Sequence, residues 1–147
     1  MRELAPAGAT AFALADAQTG ALLAAHRANT AMPPASVAKI ITAAYAQASL
    51  GAGHRFSTRL LGLGPVSGGV LAGDLVLAGS GDPTLDTDRL ATLAAGLRAA
   101  GVRSVSGRFC YHEGPFPALA RIAPDQPVHA GYNPGLSGLN LNFNRVH

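Results

Sequence analysis

The sequence predicts a mixed α/β chain in two parts, on three observations. A small/large alternation of apolar residues opens it, an amphipathic helix with a one-sided apolar face follows, and a glycine-dense stretch then introduces a second, β-rich region. The division falls at 62/63: residues 1–62 hold a hairpin and the helix, and residues 63–147 hold the rest.

Thr10, Phe12 and Leu14 alternate with Ala11, Ala13 and Ala15, a pattern suited to a strand buried on both faces. Asp16 to Gly20 reads as a turn and Ala21 to His26 as the returning strand. Val37, Ile40, Ile41, Ala44, Tyr45 and Ala48 then recur at helical spacing on one face. Pro33 and Pro34 suit the start of that helix and Gly51 its end. Between Gly62 and Gly73 the glycines gather, which marks the boundary; Asp74 to Ala78 follows as a strand. A second helix is expected over Thr87 to Ala100, with Leu90, Leu93 and Leu97 on one face, Asp86 or Thr87 as cap and Gly101 as stop. Val102 to Tyr111 reads as one strand, the proline-rich stretch after it as loop, and Leu139 to Val146 as a final alternating segment.

Hydrophobic residues make up 48% of the chain, enough for a core, while charged residues make up only 13%. The net charge is +3, yet the arginines are scattered, with no basic run and no interleaved aromatics, which argues against nucleic acid as a partner. The single cysteine, Cys110, excludes an intrachain disulfide and a cysteine-built metal site; its apolar setting reads as a small buried hydrophobe. No stretch reaches the roughly 18 apolar residues of a membrane span. Met1-Arg2-Glu3 lacks the positive start of a signal peptide, and the apolar run Ala9 to Ala15 is short and meets Asp16.

The chemically pointed feature is Ser36-Val37-Ala38-Lys39. At this spacing on a helix the Ser36 hydroxyl and the Lys39 amine share a face and can share a hydrogen bond. A lysine serves a serine as general base only when its amine is neutral, which burial favours. A helix N-terminus also supplies free N–H groups where an oxyanion would develop. Two readings stay open on local physics: a catalytic pair, or a Ser near a helix cap with Lys39 on the solvated side. Lys39 is the only lysine in the chain.

The run Asp16 to Gly20 through Pro34-Ala35-Ser36-Val37-Ala38-Lys39 resembles the opening of penicillin-binding proteins, where a hairpin leads into a helix bearing Ser-x-x-Lys. Gly73-Asp74-Leu75-Val76-Leu77-Ala78-Gly79-Ser80-Gly81-Asp82-Pro83-Thr84-Leu85 resembles one branch of them, the D-alanyl-D-alanine carboxypeptidase/endopeptidases of the S13 serine peptidase family. Ser137-Gly138-Leu139-Asn140-Leu141-Asn142-Phe143-Asn144 is similar to a segment of that family's inserted domain. The three matches fall in the family's order, and the resemblance implies an N-terminal fragment of such an enzyme.

The fold so implied is a three-layer α/β transpeptidase domain of the DD-peptidase/serine β-lactamase type. It is interrupted after the nucleophile helix by an inserted β-rich domain, of which 63–147 would be an incomplete part. The implied chemistry is attack by Ser36 as nucleophile, with Lys39 as general base, on the D-Ala-D-Ala end of peptidoglycan stem peptides, through an acyl-enzyme. β-Lactams would be covalent inhibitors at the same serine, no cofactor or metal is implied, and the implied location is the periplasm. The family also uses Ser-x-Asn and Lys-Thr-Gly. With Lys39 the sole lysine, Lys-Thr-Gly is missing here, and Ser137-Gly138-Leu139-Asn140 has its Asn one position too late. The chain alone is therefore expected to be inactive and marginally folded. The rival readings are a non-catalytic remnant that binds peptidoglycan or a partner, and a serine β-lactamase relative.

The remaining polar clusters carry less. Asp82, Asp86 and Asp88 lack calcium-loop spacing and suit a turn and a helix cap. His26, His54, His112, His129 and His147 have no metal-ligand spacing, and Gly79-Ser80-Gly81 has neither the lysine nor the spacing of a phosphate loop.

Overall fold

The computed structural model describes residues 10–145. The N-terminal residues 1–9, together with Val146 and His147, lie outside them. The chain divides into two compact units at Gly53/His54.

In the first unit, β1 (Phe12–Ala15) pairs antiparallel with β2 (Leu22–His26), from Phe12↔His26 to Ala15↔Leu22, with an irregularity at Leu14/Ala15. Asp16 builds the turn. Its Oδ1 accepts from the N–H groups of Gln18 (3.0 Å) and Thr19 (2.7 Å) and from the Thr19 hydroxyl (2.8 Å). Gly20 takes a φ of 73°, which a Cβ would oppose. The strand is not buried on both faces as its alternation suggests: Phe12 and Leu14 are 49% and 56% exposed. Within this unit the sheet is two strands wide, and a lone hairpin cannot cover its own faces.

A tight 3-10 turn over Ala35–Val37 leads into α1 (Ala38–Leu50), which ends at Gly51 with a φ of 83°. The helix and its stop fall where periodicity and glycine place them. Its apolar face stands open, with Val37, Ile40, Ile41 and Tyr45 between 64% and 74% exposed.

The second unit holds β3 (Arg59–Leu63), β4 (Val66–Ser67), β5 (Val70–Leu71), β6 (Asp74–Ala78), α2 (Thr87–Ala99), β7 (Ser104–Val105) and β8 (Phe109–His112). One sheet runs β3-β6-β8, antiparallel then parallel; the other runs β4-β5-β7 in the same sense. Parallel pairing of β6 with β8 needs a crossover, and α2 lies in it. Asp86 caps α2 by accepting from the Arg89 N–H at 2.8 Å. Leu71, Leu75 and Val102 form the buried core, with Leu60, Leu97 and Val105 packed against it.

The glycines between 62 and 73 have a close-packing role. A Cβ on Gly64 would collide with the Ala72 carbonyl, and one on Gly73 with the Leu63 carbonyl. Residues 59–63 pair with β6 and so go with the second unit. Val102 to Tyr111 is not one strand. It breaks at Gly107, whose backbone passes so near Gly73 and Asp74 that no side chain would fit, and β8 runs on to His112. Cys110, on β8 opposite Val76, is partly rather than fully buried.

The alternating segment from Leu139, described as far as Arg145, closes in a 3-10 turn over Asn142–Asn144. Asn142, Phe143 and Asn144 all take left-handed backbone conformations, with φ of 50°, 58° and 52°. Asparagine side chains hold them there. Asn142 bonds Thr87 Oγ1 (2.9 Å), and Asn144 bonds the Gly135 carbonyl (2.9 Å) and Asn140 Oδ1 (2.7 Å). In the proline-rich loop before it, the buried Asn133 side chain accepts from the Ala123 N–H (2.8 Å) and donates to the Ala123 carbonyl (3.0 Å).

Candidate active site

Ser36 lies in the 3-10 turn and Lys39 in the first turn of α1. Pro34 enters the turn with φ −72° and ψ −14°. Its carbonyl accepts the Val37 N–H at 3.1 Å, and the Ala38 N–H is shared by the carbonyls of Ala35 and Ser36. Wound this tightly, the turn brings the two side chains together: Lys39 Nζ donates to Ser36 Oγ at 2.9 Å. Both residues are exposed, so Lys39 faces solvent and engages Ser36 at once. Among the described residues no backbone carbonyl takes the Ser36 N–H, which leaves it available to an incoming oxygen.

A lysine that donates to a serine oxygen orients it. With the amine neutral, the same contact runs the other way and the hydroxyl proton passes to nitrogen as Oγ attacks.

Ser137 and Asn140 form no comparable pair. Ser137 Oγ donates to the Leu139 carbonyl (2.9 Å), and Asn140 binds the Ser137 N–H (3.0 Å) and carbonyl (2.8 Å), so both close a local turn. Asp82 likewise accepts from the Thr84 N–H (2.9 Å) and hydroxyl (2.8 Å), which lowers its carboxyl from the ordinary 3.8. Among the described residues, no three His, Cys, Asp or Glu side chains gather as a metal site would require.

The Gly79 to Leu85 run is a structural junction. A Cβ on Gly79 would collide with the Gly138 carbonyl, and one on Gly138 with the Glu113 carbonyl. Ser80 Oγ accepts from the Ser57 N–H (2.7 Å) and donates to its carbonyl (2.9 Å). Gly81 has a φ of 83° and packs against Phe116. Leu85 is buried, and its carbonyl accepts the Asn142 N–H at 3.0 Å. These contacts tie three distant segments together and place no reactive group. A groove of about 620 Å³ opens beside this junction, lined by Pro83, Leu85, Arg89, Asn142 and Phe143 among others.

Sequence reading missed one residue of the site. Ala35, immediately before Ser36, has a φ of 46°. Nothing in Pro-Pro-Ala-Ser signals a left-handed alanine, because glycine or asparagine is the usual occupant.

A family model described as the D-Ala-D-Ala carboxypeptidase 3 (S13) family matches residues 4–147. A D-alanyl-D-alanine carboxypeptidase of an Actinomadura species is 39% identical over 92 residues, covering 63% of this chain and 17% of that protein. The D-alanyl-D-alanine carboxypeptidase DacB of Haemophilus influenzae is 34% identical over 86 residues, covering 58% of this chain and 18% of that protein. The crystal structure of penicillin binding protein 4 (dacB) of Haemophilus influenzae superposes with a TM-score of 0.70 at 29% identity, over 85% of this chain and 28% of that one. A structure of the same protein complexed with a β-lactam gives a TM-score of 0.67 at 26% identity, over 95% of this chain and 28% of that one. The matched stretches thus cover less than a fifth of the length of these curated relatives.

Proposed function

Because the chain belongs to the D-Ala-D-Ala carboxypeptidase 3 (S13) family, we propose that it supplies the nucleophile of a serine-type D-Ala-D-Ala carboxypeptidase/endopeptidase acting on peptidoglycan stem peptides. The observation that carries this reading is the 2.9 Å contact between Lys39 Nζ and Ser36 Oγ at the start of α1. In the reaction, Ser36 Oγ attacks the carbonyl carbon of the D-Ala-D-Ala bond as its proton passes to the neutral Lys39 amine. The C–N bond breaks, the leaving D-Ala amine takes that proton, and an ester to Ser36 remains. Water then attacks the ester and regenerates the hydroxyl. The helix start and the Ser36 N–H favour the developing oxyanion.

A β-lactam would acylate Ser36 in the same way, and a β-lactam complex of a structural relative supports that reading. The domain assignment follows the family. The first unit would open the three-layer transpeptidase domain, and the second, which begins at His54 rather than at residue 63, would belong to an inserted domain. The reaction would take place in the periplasm, where its substrate lies. Lys-Thr-Gly is not among these 147 residues, since Lys39 is the only lysine. The isolated chain would therefore show little or no reaction.

The test is a chimera in which this chain replaces the matching segment of the Haemophilus influenzae relative, which supplies the rest of the active site. A fluorescent penicillin should label the chimera at Ser36, and Ser36→Ala should abolish the label. An unlabelled but folded chimera would mean that the segment is a non-catalytic remnant. Release of the penicilloyl group within seconds, rather than a long-lived adduct, would point to a β-lactamase.

A further inference from the structure

We propose that the groove beside the 79–85 junction is a second binding place for peptide, apart from Ser36. Arg89 takes a C-terminal carboxylate there, and Leu85 and Phe143 meet the adjoining apolar side chain. This deepens the peptidase reading and rests on it for the peptide's identity, the carboxylate end of a peptidoglycan stem. The groove is lined by second-unit residues alone, and its volume of about 620 Å³ is within the range of small-ligand sites.

Charge gives the sign of the ligand. Arg89 lines the groove, and among the described residues its guanidinium makes no hydrogen bond or ion pair. Arg145 adds a second cation, its guanidinium 5.9 Å from the centre of the Phe143 ring. Asp86 is the one carboxylate in the lining, and its Oδ1 accepts the Arg89 N–H at the start of α2. Two guanidiniums beside one engaged carboxylate favour an anion, and the fork of N–H donors on arginine matches a carboxylate. Backbone shape gives the apolar part. Phe143 takes φ 58° and ψ 22°, a left-handed conformation that a bulky side chain resists. Asn142 and Asn144 hold the turn through Thr87, Gly135 and Asn140. The ring so placed is 66% exposed, so the turn does not tuck it into the core but presents it at the groove. Backbone held against its preference gathers at binding sites.

The test is an NMR titration of the ¹⁵N-labelled full chain with L-Ala-D-Ala-D-Ala, as the free acid and as its C-terminal amide. The acid should shift the amide signals of residues 84–89 and 142–145. The amide form should bind about tenfold or more weakly, since it lacks the charge that Arg89 holds. Arg89→Gln should bring the acid down to the level of the amide form. The backbone N–H that Asp86 accepts survives that change, so α2 should keep its own signals. No shift at millimolar peptide would overturn the proposal, as would equal affinity for acid and amide or shifts confined to the first unit. Equal shifts with sodium acetate would reduce the site to a bare anion site and overturn it too. The titration involves no acylation. A folded chimera that never takes penicillin would defeat the nucleophile reading and leave these shifts in place, whereas their absence beside a labelled Ser36 would defeat this site alone.

Discussion

At the scale of single residues, the site consists of one hydroxyl, one amine and the turn that joins them. The distance of 2.9 Å between Lys39 Nζ and Ser36 Oγ is within range for direct proton transfer. In the chimera, Lys39→Ala should slow acylation by penicillin about 10²–10⁴-fold, the usual worth of a positioned general base. Lys39→Arg should not restore it, because a guanidinium stays protonated and cannot accept the serine proton. Stopped-flow measurement of the label distinguishes these outcomes. A second residue-scale prediction concerns Asp74. Its carboxylate accepts from the Arg108 N–H (2.8 Å) and pairs with the guanidinium (2.9 Å). These bonds, the backbone one foremost, lower its pKa from the ordinary 3.8. A lowered folded pKa stabilises above the unfolded value, and the contribution fades as pH falls through the folded one. Acid unfolding followed by circular dichroism should therefore begin below about pH 4, and Asp74→Asn should flatten that acid limb. Arg108 is 81% exposed, so the ion pair itself adds little and added salt should leave the effect largely in place.

At the scale of elements, what the sequence showed and what it hid divide along physical lines. Both helices were legible, since thirteen-residue elements carry enough turns for a periodic face, and glycines mark their ends. Asp86 was legible as a cap for the same local reason, and Asp86→Ala should cost about 1 kcal/mol in a urea titration. The two-residue strands β4, β5 and β7 were not legible, because two residues cannot display an alternation. The break at Gly107 and the left-handed turn at Asn142–Asn144 depend on partners far along the chain, Gly73 and Thr87 among them. No local pattern announces such contacts. Ser36 and Lys39 stood out because helical spacing alone brings them to one face, while the reversed turn at Ala35 left no trace in composition. The Gly79 to Leu85 run was legible as a family feature, but its physical role emerged only from the collisions that a Cβ at Gly79 or Gly138 would cause.

At the scale of the whole molecule, the two units differ in what holds them. The second has a buried core centred on Leu71, which is only 1% exposed. Leu71→Ala should destabilise it by about 2–5 kcal/mol, the range for emptying a packed core site. The first unit has no buried residue among those described, and its largest apolar side chains on α1 stand open. Hydrogen exchange on the isolated chain should accordingly be about tenfold or more faster in α1 and β1–β2 than in β6. Comparable protection in both units would show that the first has a core of its own. On the proposed reading, the Ser36 nucleophile would then sit in the less buried of the two units. Ser36 would therefore react only when other parts of an active site surround it.

The most direct test of that account is fluorescent penicillin added to two samples, the chain alone and the chimera with the Haemophilus influenzae relative, followed by peptide mapping of the label. The account predicts a stable adduct on Ser36 in the chimera, none in its Ser36→Ala variant, and little or none in the chain alone. A label on any residue other than Ser36, or a folded chimera that takes none, would contradict it.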